Sequence, residues 1–290
     1  MRRNWIILIF GVLFKFFTFC QGTPPAPDYS KTPVLFVHGA GLSSKTWNKM
    51  IKYFISIGYP SEFLHAVDLM PRYGSNKRAA TEFIKPEAEK LLQRAMQAIQ
   101  KANYSGEAPK KLDIVSHSMG AVSSRFFTTK IHPARVRTWI SIAGANHGTN
   151  ALCPLSNNGE GSREMCPAFA PSTEESDIQA VLNGTPNEPI DETPFGIGYD
   201  EKRVRRIPPD ETRNILYLTV RIEPDRWIKP EQSAILDGAG SVSISIPPEF
   251  PIKETSPGNY LFEKKVGHDP LPRNSNLIRF VALLLSTRDK

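Results

Sequence analysis

The chain has 290 residues, of which 40% are hydrophobic and 22% are charged, and it contains no tandem repeat. This length and composition fit one large globular domain. The formal net charge is +7, and the basic run from Lys202 to Arg206 is of a kind that usually lies in a solvated loop. The charge therefore gives no support to nucleic acid binding, and we expect no nucleic acid partner.

The first 22 residues are typical of a secretory signal peptide. Arg2 and Arg3 precede an apolar stretch that ends in small residues suited to cleavage near Cys20 to Gly22. Lys15 interrupts this stretch, so the uninterrupted apolar runs are too short for a comfortable membrane span. Cleavage would remove three basic and no acidic residues and lower the net charge from +7 to +4. We expect a secreted chain, extracellular or periplasmic, without an integral membrane segment in its mature form.

The mature chain would keep two cysteines, Cys153 and Cys166. An even number of cysteines in an oxidising compartment predicts a disulfide bond, which would close a short loop and stabilise the fold by about 3 kcal/mol. Two unpaired thiols remain the alternative if the chain is not exported. No metal-binding motif uses these cysteines, and we expect neither a metal nor an organic cofactor.

From Pro33 onward, short apolar runs alternate with longer segments of helical periodicity, which predicts an α/β fold with a mostly parallel sheet of about six strands and helices on both faces. The predicted strands are Pro33 to Val37, Phe63 to Leu69, Leu112 to Ser116, Arg137 to Ala143, Ile215 to Ile222 and Val242 to Ile246. Several are apolar almost throughout, as buried parallel strands are. We expect the catalytic domain to span residues 23–290, after the signal peptide of residues 1–22.

Three segments have the apolar spacing of helices, and we expect their apolar residues in the core. These are the segment with Trp47, Met50, Ile51, Phe54 and Ile55, the segment with Ile84, Leu91, Leu92, Ala95, Met96 and Ile99, and a last helix from Asn276 to Leu285. The pattern lapses over residues 145–213, a loop-rich insertion in which only Thr173 to Leu182 is of helical character. A second, proline-rich excursion covers Pro247 to Gly258. Both excursions follow predicted strands, on the side where open parallel sheets bind ligands.

The pentapeptide Ser116-His117-Ser118-Met119-Gly120 stands between a predicted strand and a predicted helix. A sharp turn at such a junction presents a serine hydroxyl as a nucleophile, and the residues two before and two after it must be small because the backbones crowd there. Ser116 and Gly120 meet that requirement. Ser118 is therefore the candidate nucleophile, while its neighbour His117 is expected to diverge from it and to pack or shape the pocket.

In this architecture the acid and the base follow the nucleophile in the order Asp or Glu, then His. His268 follows the last predicted strand and is the expected base, whereas His132 lies in a loop that enters from the other end of the sheet and no acid-bearing strand lies between Ser118 and His147. Asp225 lies three residues beyond the strand that ends at Ile222 and is the expected acid. Its rivals are Glu223, Asp237 and Asp269.

An acyl-transfer intermediate requires N–H donors aimed at its oxyanion. One donor usually comes from the residue after the nucleophile, which is Met119, and the other from the loop after the first strand. The sequence Val-His38-Gly39-Ala40 ends the first predicted strand, so the backbone N–H of Ala40 is the expected second donor.

These residues resemble the lipase class 2 family of small α/β-hydrolases, which is related to minimal bacterial lipases and to some extracellular polyhydroxyalkanoate depolymerases. The resemblance rests on VLFVHGAG, AVDLMPRYGSN, KLDIVSHSMGAVSSRFF, EPDRWIKPEQSAILDGAG and VGHDPL. It implies an α/β-hydrolase fold and hydrolysis of carboxylic esters by Ser118, Asp225 and His268, with Ala40 and Met119 as the oxyanion hole. The long insertion and the interval from Pro247 to Lys265 before the histidine depart from the minimal enzymes.

The sequence thus predicts a secreted serine ester hydrolase, a lipase or esterase, acting on a lipid or another carboxylic ester through an acyl-enzyme. A polyester depolymerase, a thioesterase or an acyltransferase would use the same triad, and a binding module on an inactive hydrolase scaffold is the alternative of another class. Acyl length, a moving lid, oligomeric state and the use of the glycosylation sequons at Asn103 and Asn183 are left open. Apolar residues of the insertion could line an acyl pocket or simply anchor a loop, namely Ile178, Val181, Leu182, Phe195 and Ile197.

Overall fold

The computed structural model describes residues 25–169, 177–184, 215–236, 239–240, 242 and 244–288. The predicted signal peptide, the basic run from Lys202 to Arg206, the rival acid Asp237, and Phe195 and Ile197 lie outside the described residues.

Seven strands form one sheet in the order β2-β1-β3-β4-β5-β7-β6. Their bounds are β1 Val34–Val37, β2 Leu64–Val67, β3 Leu112–His117, β4 Val136–Ile142, β5 Leu216–Ile222, β6 Ile252–Ser256 and β7 Asn259–Phe262. All neighbouring pairs are parallel except the edge pair of β6 and β7. The parallel order brings the carboxyl ends of β1, β3, β4, β5 and β7 to one edge, where ligands of open α/β sheets bind. The predicted α/β-hydrolase fold is confirmed.

The first five predicted strands are confirmed to within a few residues, but the sixth is wrong. The described residues between Val242 and Ile246 form no strand, although Val242, Ile244 and Ile246 pack against the core as partly buried side chains. Their alternation reflects contact with the core and not pairing in the sheet. The last two strands lie instead in the segment assigned to the second excursion and just beyond it, so that His268 follows β7 by six residues. The predicted long interval between the last strand and this histidine is therefore wrong.

The described residues form seven α-helices: α1 Asn48–Ser56, α2 Asn76–Arg78, α3 Lys85–Lys101, α4 Met119–Phe126, α5 Glu160–Glu164, α6 Ile178–Asn183 and α7 Ser275–Ser286. One face of the sheet packs on α1 and α7, with Val34, Phe36 and Leu218 among the strand residues in that cluster. The opposite face packs on α3 and α4 and includes Leu35 and Val37. Successive residues of β1 therefore point to opposite layers, and both are fully buried, which explains the uninterrupted apolar run.

Two residues expected in the core are exposed. Ile55 of α1 and Met96 of α3 are 37% and 41% exposed, although their neighbours Phe54 and Ala95 are fully buried. One step along a helix rotates the side chain by about 100°, so each lies beyond the edge of its apolar stripe. Among the helices that the structure describes, none is both long and apolar enough to span a membrane.

Candidate active site

Ser118 lies at the junction of β3 and α4, in a backbone conformation that residues other than glycine rarely adopt. Its φ is +56° and its ψ is −126°, and its N–H donates to the carbonyl of Ile142 at 3.1 Å, at the end of neighbouring β4. A non-glycine residue at such angles is strained by about 1–3 kcal/mol and persists only where the surroundings impose it. The strain turns the serine out of the strand, and its side chain is only partly buried.

The small residues that flank this serine have identifiable neighbours. A Cβ added to Gly120 would overlap the carbonyl oxygens of Val37 and His38, where the backbones of β1 and α4 meet. Ser116 is fully buried, and its hydroxyl donates to the carbonyl of Ile140 at 2.9 Å. A serine is thus accommodated at this crowded position because its side-chain hydroxyl has a hydrogen-bond partner.

The loop after β1 approaches the nucleophile closely. A Cβ added to Gly39 would lie 2.7 Å from the Cβ of Ser118. The backbone N–H groups of Ala40 and Met119, the predicted oxyanion donors, have no acceptor in the part of the chain that the structure describes. Both amides flank Ser118, one in the adjacent loop and one in the following residue, as an oxyanion hole requires.

His38 fixes the orientation of that loop. Its Nε2 accepts from the backbone N–H of Leu69 at 3.0 Å, so the ring proton is on Nδ1, which donates to the carbonyl of Gly39 at 2.8 Å. Burial lowers the pKa of His38 and favours this neutral form. The carbonyl of Gly39 and the N–H of Ala40 belong to one planar peptide unit, so holding the carbonyl also aims the N–H.

Asp225 and His268 form a buried pair although 43 residues separate them. Asp225 Oδ2 accepts from His268 Nδ1 at 2.9 Å, and both side chains are only 2% exposed. Asp225 Oδ1 accepts from the backbone N–H groups of Trp227 at 2.7 Å and Ile228 at 3.1 Å. The carboxylate is thereby held by its own turn, three residues beyond β5, and it fixes the tautomer in which His268 Nε2 carries no proton.

His268 Nε2 is buried and has no hydrogen-bond partner among the described residues. No hydrogen bond joins it to Ser118 Oγ there, and catalytic contacts are often long before substrate binds. His117 directly precedes Ser118, and its ring centroid lies 4.6 Å from that of His268, so the ring of the base packs against the segment that carries the serine. The base therefore has an available acceptor nitrogen beside the segment that carries the serine.

The rival residues are engaged elsewhere. His132 lies in the loop before β4, 3.5 Å from Glu89, and His147 Nδ1 bonds to the carbonyl of Ser233 at 3.0 Å while its ring stacks on Phe169. Glu223 Oε1 accepts from Arg221 Nε at 2.9 Å. Asp269 is exposed. None of these contacts reaches His268 or Ser118.

The described part of the insertion packs against α4, the helix that begins after Ser118. A disulfide bond joins Cys153 to Cys166, as predicted. Ile178 and Leu182 of α6 are buried with Met119 and Val122 of α4, so they anchor the insertion. Their packing beside Met119 places an apolar layer next to the candidate oxyanion hole.

Two charged residues that the sequence analysis missed strengthen this attachment. Arg125 is fully buried, and its guanidinium donates to the carbonyls of Asn146 and Leu182 and to Asn183 Oδ1 at 2.9–3.2 Å. Glu164 accepts from Ser75 Oγ and from the backbone and side-chain nitrogens of Asn76 at 2.6–2.7 Å. Neither residue carries a sequence signal, because a buried anchor and a solvated charge on a helix have the same one-letter pattern.

The sheet order, the strained serine after β3 and the carboxylate–imidazole pair after β5 and β7 define an α/β-hydrolase. Residues 31–172 match the model of the family described as lipase (class 2), which confirms the predicted resemblance. Family and fold together identify a carboxylic ester hydrolase. The matched segment contains Ala40, Ser118 and Met119 and ends before Asp225 and His268, so the match itself says nothing about the acid and the base.

Solved structures of lipases and esterases are similar to this chain at low sequence identity. The mature form of the lipase BlEst2 from Bacillus licheniformis is 17% identical, with a TM-score of 0.50 over 90% of this chain and 95% of that one. Carboxylesterase CesB from Bacillus subtilis is 12% identical, with a TM-score of 0.42, and naproxen esterase from Bacillus subtilis is 13% identical, with a TM-score of 0.44. Each of these two matches covers 90% of this chain and 85% of the other. At 17% identity the likeness to BlEst2 concerns the fold alone.

Proposed function

We propose that this chain is a secreted serine hydrolase of carboxylic esters, with Ser118 as nucleophile, His268 as general base and Asp225 as the orienting acid. The observation that carries the proposal is the buried His268–Asp225 pair, which leaves His268 Nε2 unpartnered within the described residues and beside the segment of Ser118. A serine hydroxyl needs such a base because it is a weak nucleophile at neutral pH.

In the first half-reaction, Ser118 Oγ attacks the ester carbonyl carbon and its proton passes to His268 Nε2. The imidazolium that forms is stabilised by the Asp225 carboxylate on the other ring nitrogen. The backbone N–H groups of Ala40 and Met119 donate to the oxyanion of the tetrahedral intermediate, worth about 3–4 kcal/mol for one such donor. The intermediate collapses, the alcohol leaves with the proton from His268, and the acyl group stays on Ser118.

In the second half-reaction, His268 Nε2 takes a proton from water as the water oxygen attacks the acyl carbonyl carbon. The carboxylic acid leaves, and Ser118 Oγ recovers its proton from the imidazolium. Each proton transfer uses the same nitrogen. A structure that keeps this nitrogen unpaired and the other one bonded to a carboxylate suits both half-reactions.

The surroundings of the candidate oxyanion hole favour an ester with an apolar acyl group. Met119, Val122, Met165 and Ile228 belong to a buried apolar cluster, against which Ala40 packs. An acyl chain held near this cluster would remove apolar surface from water at about 25 cal/mol per Å². We propose lipid-like or simple carboxylic esters as the substrate class, with a polyester as the alternative that the substrate series must exclude.

Secretion is part of the proposal, with residues 1–22 as signal peptide and residues 23–290 as the catalytic domain. The disulfide bond between Cys153 and Cys166 supports it, because such bonds persist in oxidising compartments. Mass spectrometry of the exported chain would test it. A mature N-terminus near residue 23 is expected, and an intact N-terminus would contradict the cleavage.

The decisive experiment combines covalent labelling with three single substitutions. A fluorophosphonate probe should label the wild-type chain at Ser118, and both Ser118→Ala and His268→Ala should lose esterase activity by at least about 10⁴-fold while staying folded. His147→Ala is the matched control and should keep its activity. An active His268→Ala together with an inactive His147→Ala would move the base to His147, and an unlabelled wild-type chain would favour a binding module.

Hydrolysis of p-nitrophenyl esters of increasing acyl length, followed by a polyester film, separates the substrate classes. A clear preference among soluble or emulsified esters with no loss of film mass supports the proposal. Faster release of product from the film than from any monomeric ester would instead assign a depolymerase.

A further inference from the structure

His117 is fully buried between the loop of Gly39 and the main chain of His268. It takes part in no step of the proposed mechanism. Its Nε2 lies 3.1 Å from the backbone carbonyl oxygen of His268. A carbonyl oxygen can only accept a hydrogen bond, so this nitrogen must carry the ring proton. The ring of His117 therefore donates to the main chain of the residue whose own ring is the proposed base.

The other ring nitrogen of His117 indicates a neutral imidazole. Its Nδ1 is buried without a hydrogen-bond partner among the described residues, and a Cβ added to Gly39 would lie 3.1 Å from it. A proton on Nδ1 would be a buried donor facing the backbone of a glycine. Desolvation, with smaller contributions from the nearby His268, His38 and Arg273, holds the pKa of His117 well below its usual range.

The base has a second anchor besides its carboxylate. The hydrogen bond that His268 Nδ1 donates to Asp225 fixes this ring nitrogen but leaves the position of the main chain that carries the ring to other contacts. We propose that His117 is a positioning residue, whose Nε2–H holds the carbonyl of His268 and thereby sets the direction of the base toward Ser118. The inference rests on the function proposed above, since it concerns the placement of that base.

The contact can be removed without leaving a buried polar group unpaired. The carbonyl of His268 also accepts from the backbone N–H of Leu271, at 3.3 Å, and so retains a partner when His117 is replaced. A purely structural role predicts lost stability with little change in turnover. A positioning role predicts the reverse, because displacing a reacting group by about 1 Å lowers turnover by up to about 100-fold.

The test compares His117→Phe, which keeps a planar ring without a donor, with His117→Gln, whose side-chain amide can donate to the same carbonyl. His117→Phe should lower kcat on a soluble short-chain ester by about 10- to 100-fold with little change in KM, and His117→Gln should recover most of that loss. His132→Phe, the same change at a histidine far from the serine, is the control and should keep wild-type kcat. Thermal unfolding of all three variants shows whether each is folded at the assay temperature.

A kcat of His117→Phe within about twofold of the wild type would overturn the inference, as would an equal loss in both His117 variants when both are folded. Failure of the wild-type chain to react with the fluorophosphonate would overturn the proposed function itself and is a separate observation. Should His117→Phe not fold, nitrogen-15 NMR of the wild-type histidines still decides the question. The inference requires a proton on Nε2 of His117 and none on Nδ1, and the opposite tautomer would contradict it.

Discussion

The substitution Asp225→Asn tests how the carboxylate governs the base. Asp225 Oδ2 accepts from His268 Nδ1, while Oδ1 accepts from the N–H groups of Trp227 and Ile228. An asparagine can keep its oxygen toward those two N–H groups only by presenting its NH₂ group to His268. Nδ1 of His268 must then accept, so the ring proton moves to Nε2, the nitrogen that has to take the proton from Ser118.

The wrong tautomer should lower kcat by about 10⁴-fold, as the corresponding change does in serine proteases. The fold should lose only the charge-assisted bond, about 1.5–3 kcal/mol, because both backbone donors keep their acceptor. Asp225→Ala removes that acceptor as well and leaves the backbone N–H groups of Trp227 and Ile228 without it. This adds about 1–3 kcal/mol to the loss of stability for each of these groups that is buried. The two variants should therefore be similarly inactive and differ in stability.

The assay is steady-state hydrolysis of a soluble ester, with urea unfolding of the same preparations. Glu223→Gln is the matched control, since Glu223 lies two residues away and bonds to Arg221. It should stay within about threefold of the wild type in kcat. A kcat for Asp225→Asn within about tenfold of the wild type, or an equal loss in Glu223→Gln, would refute the assignment of the acid.

Three further measurements follow from the structure. Replacing both Cys153 and Cys166 with serine should lower the free energy of unfolding by about 3 kcal/mol, because the disulfide bond closes a loop between positions 13 residues apart and restricts the unfolded chain. In urea unfolding, a reductant should destabilise the wild type but not the variant. Ser118→Gly should be more stable than Ser118→Ala by about 1 kcal/mol, since glycine alone accepts a φ of +56° without strain, and equal melting temperatures would contradict this. Burial lowers the pKa values of His38 and His117, so below about pH 6.5 the unfolded chain binds more protons than the folded chain. The free energy of unfolding should therefore fall from pH 7 to pH 5, by up to about 2 kcal/mol for each histidine. Urea unfolding at several pH values should show a shallower fall in His117→Phe.

The fold was predictable where burial leaves a pattern in the sequence. Several of the first five strands are apolar almost throughout because helices cover both faces of the sheet. The edge strand β6 has one buried residue, Ile252, followed by four exposed ones, so its sequence carries no such pattern. Val242, Ile244 and Ile246 have the alternating apolar pattern of a strand, but they only pack against the core as partly buried side chains. Periodicity reports which side chains are buried, and it cannot say whether a backbone is paired.

The candidate site was predictable as far as chain order and side-chain chemistry reach. The turn at Ser118 and the order of the residues after it led to the pair that the structure brings together, Asp225 and His268. The partners of His38 and His117 could not be found in this way, because both rings donate to backbone carbonyls. A carbonyl is present at every residue, so the sequence does not mark the one that a given ring will meet.

These backbone contacts explain how three separate segments can hold one geometry. His38 fixes the Gly39–Ala40 peptide, His117 contacts the main chain of His268, and the carboxylate of Asp225 accepts from its own turn. Each is a hydrogen bond between a buried side chain and the main chain, so the positions of the reacting atoms depend on groups that never touch the substrate. His117 keeps one ring nitrogen without a partner among the described residues, and this is tolerated because a neutral ring loses less on burial than a charged one. Substitutions at His38 and His117 should therefore act on turnover more than on substrate binding, although neither ring belongs to the triad.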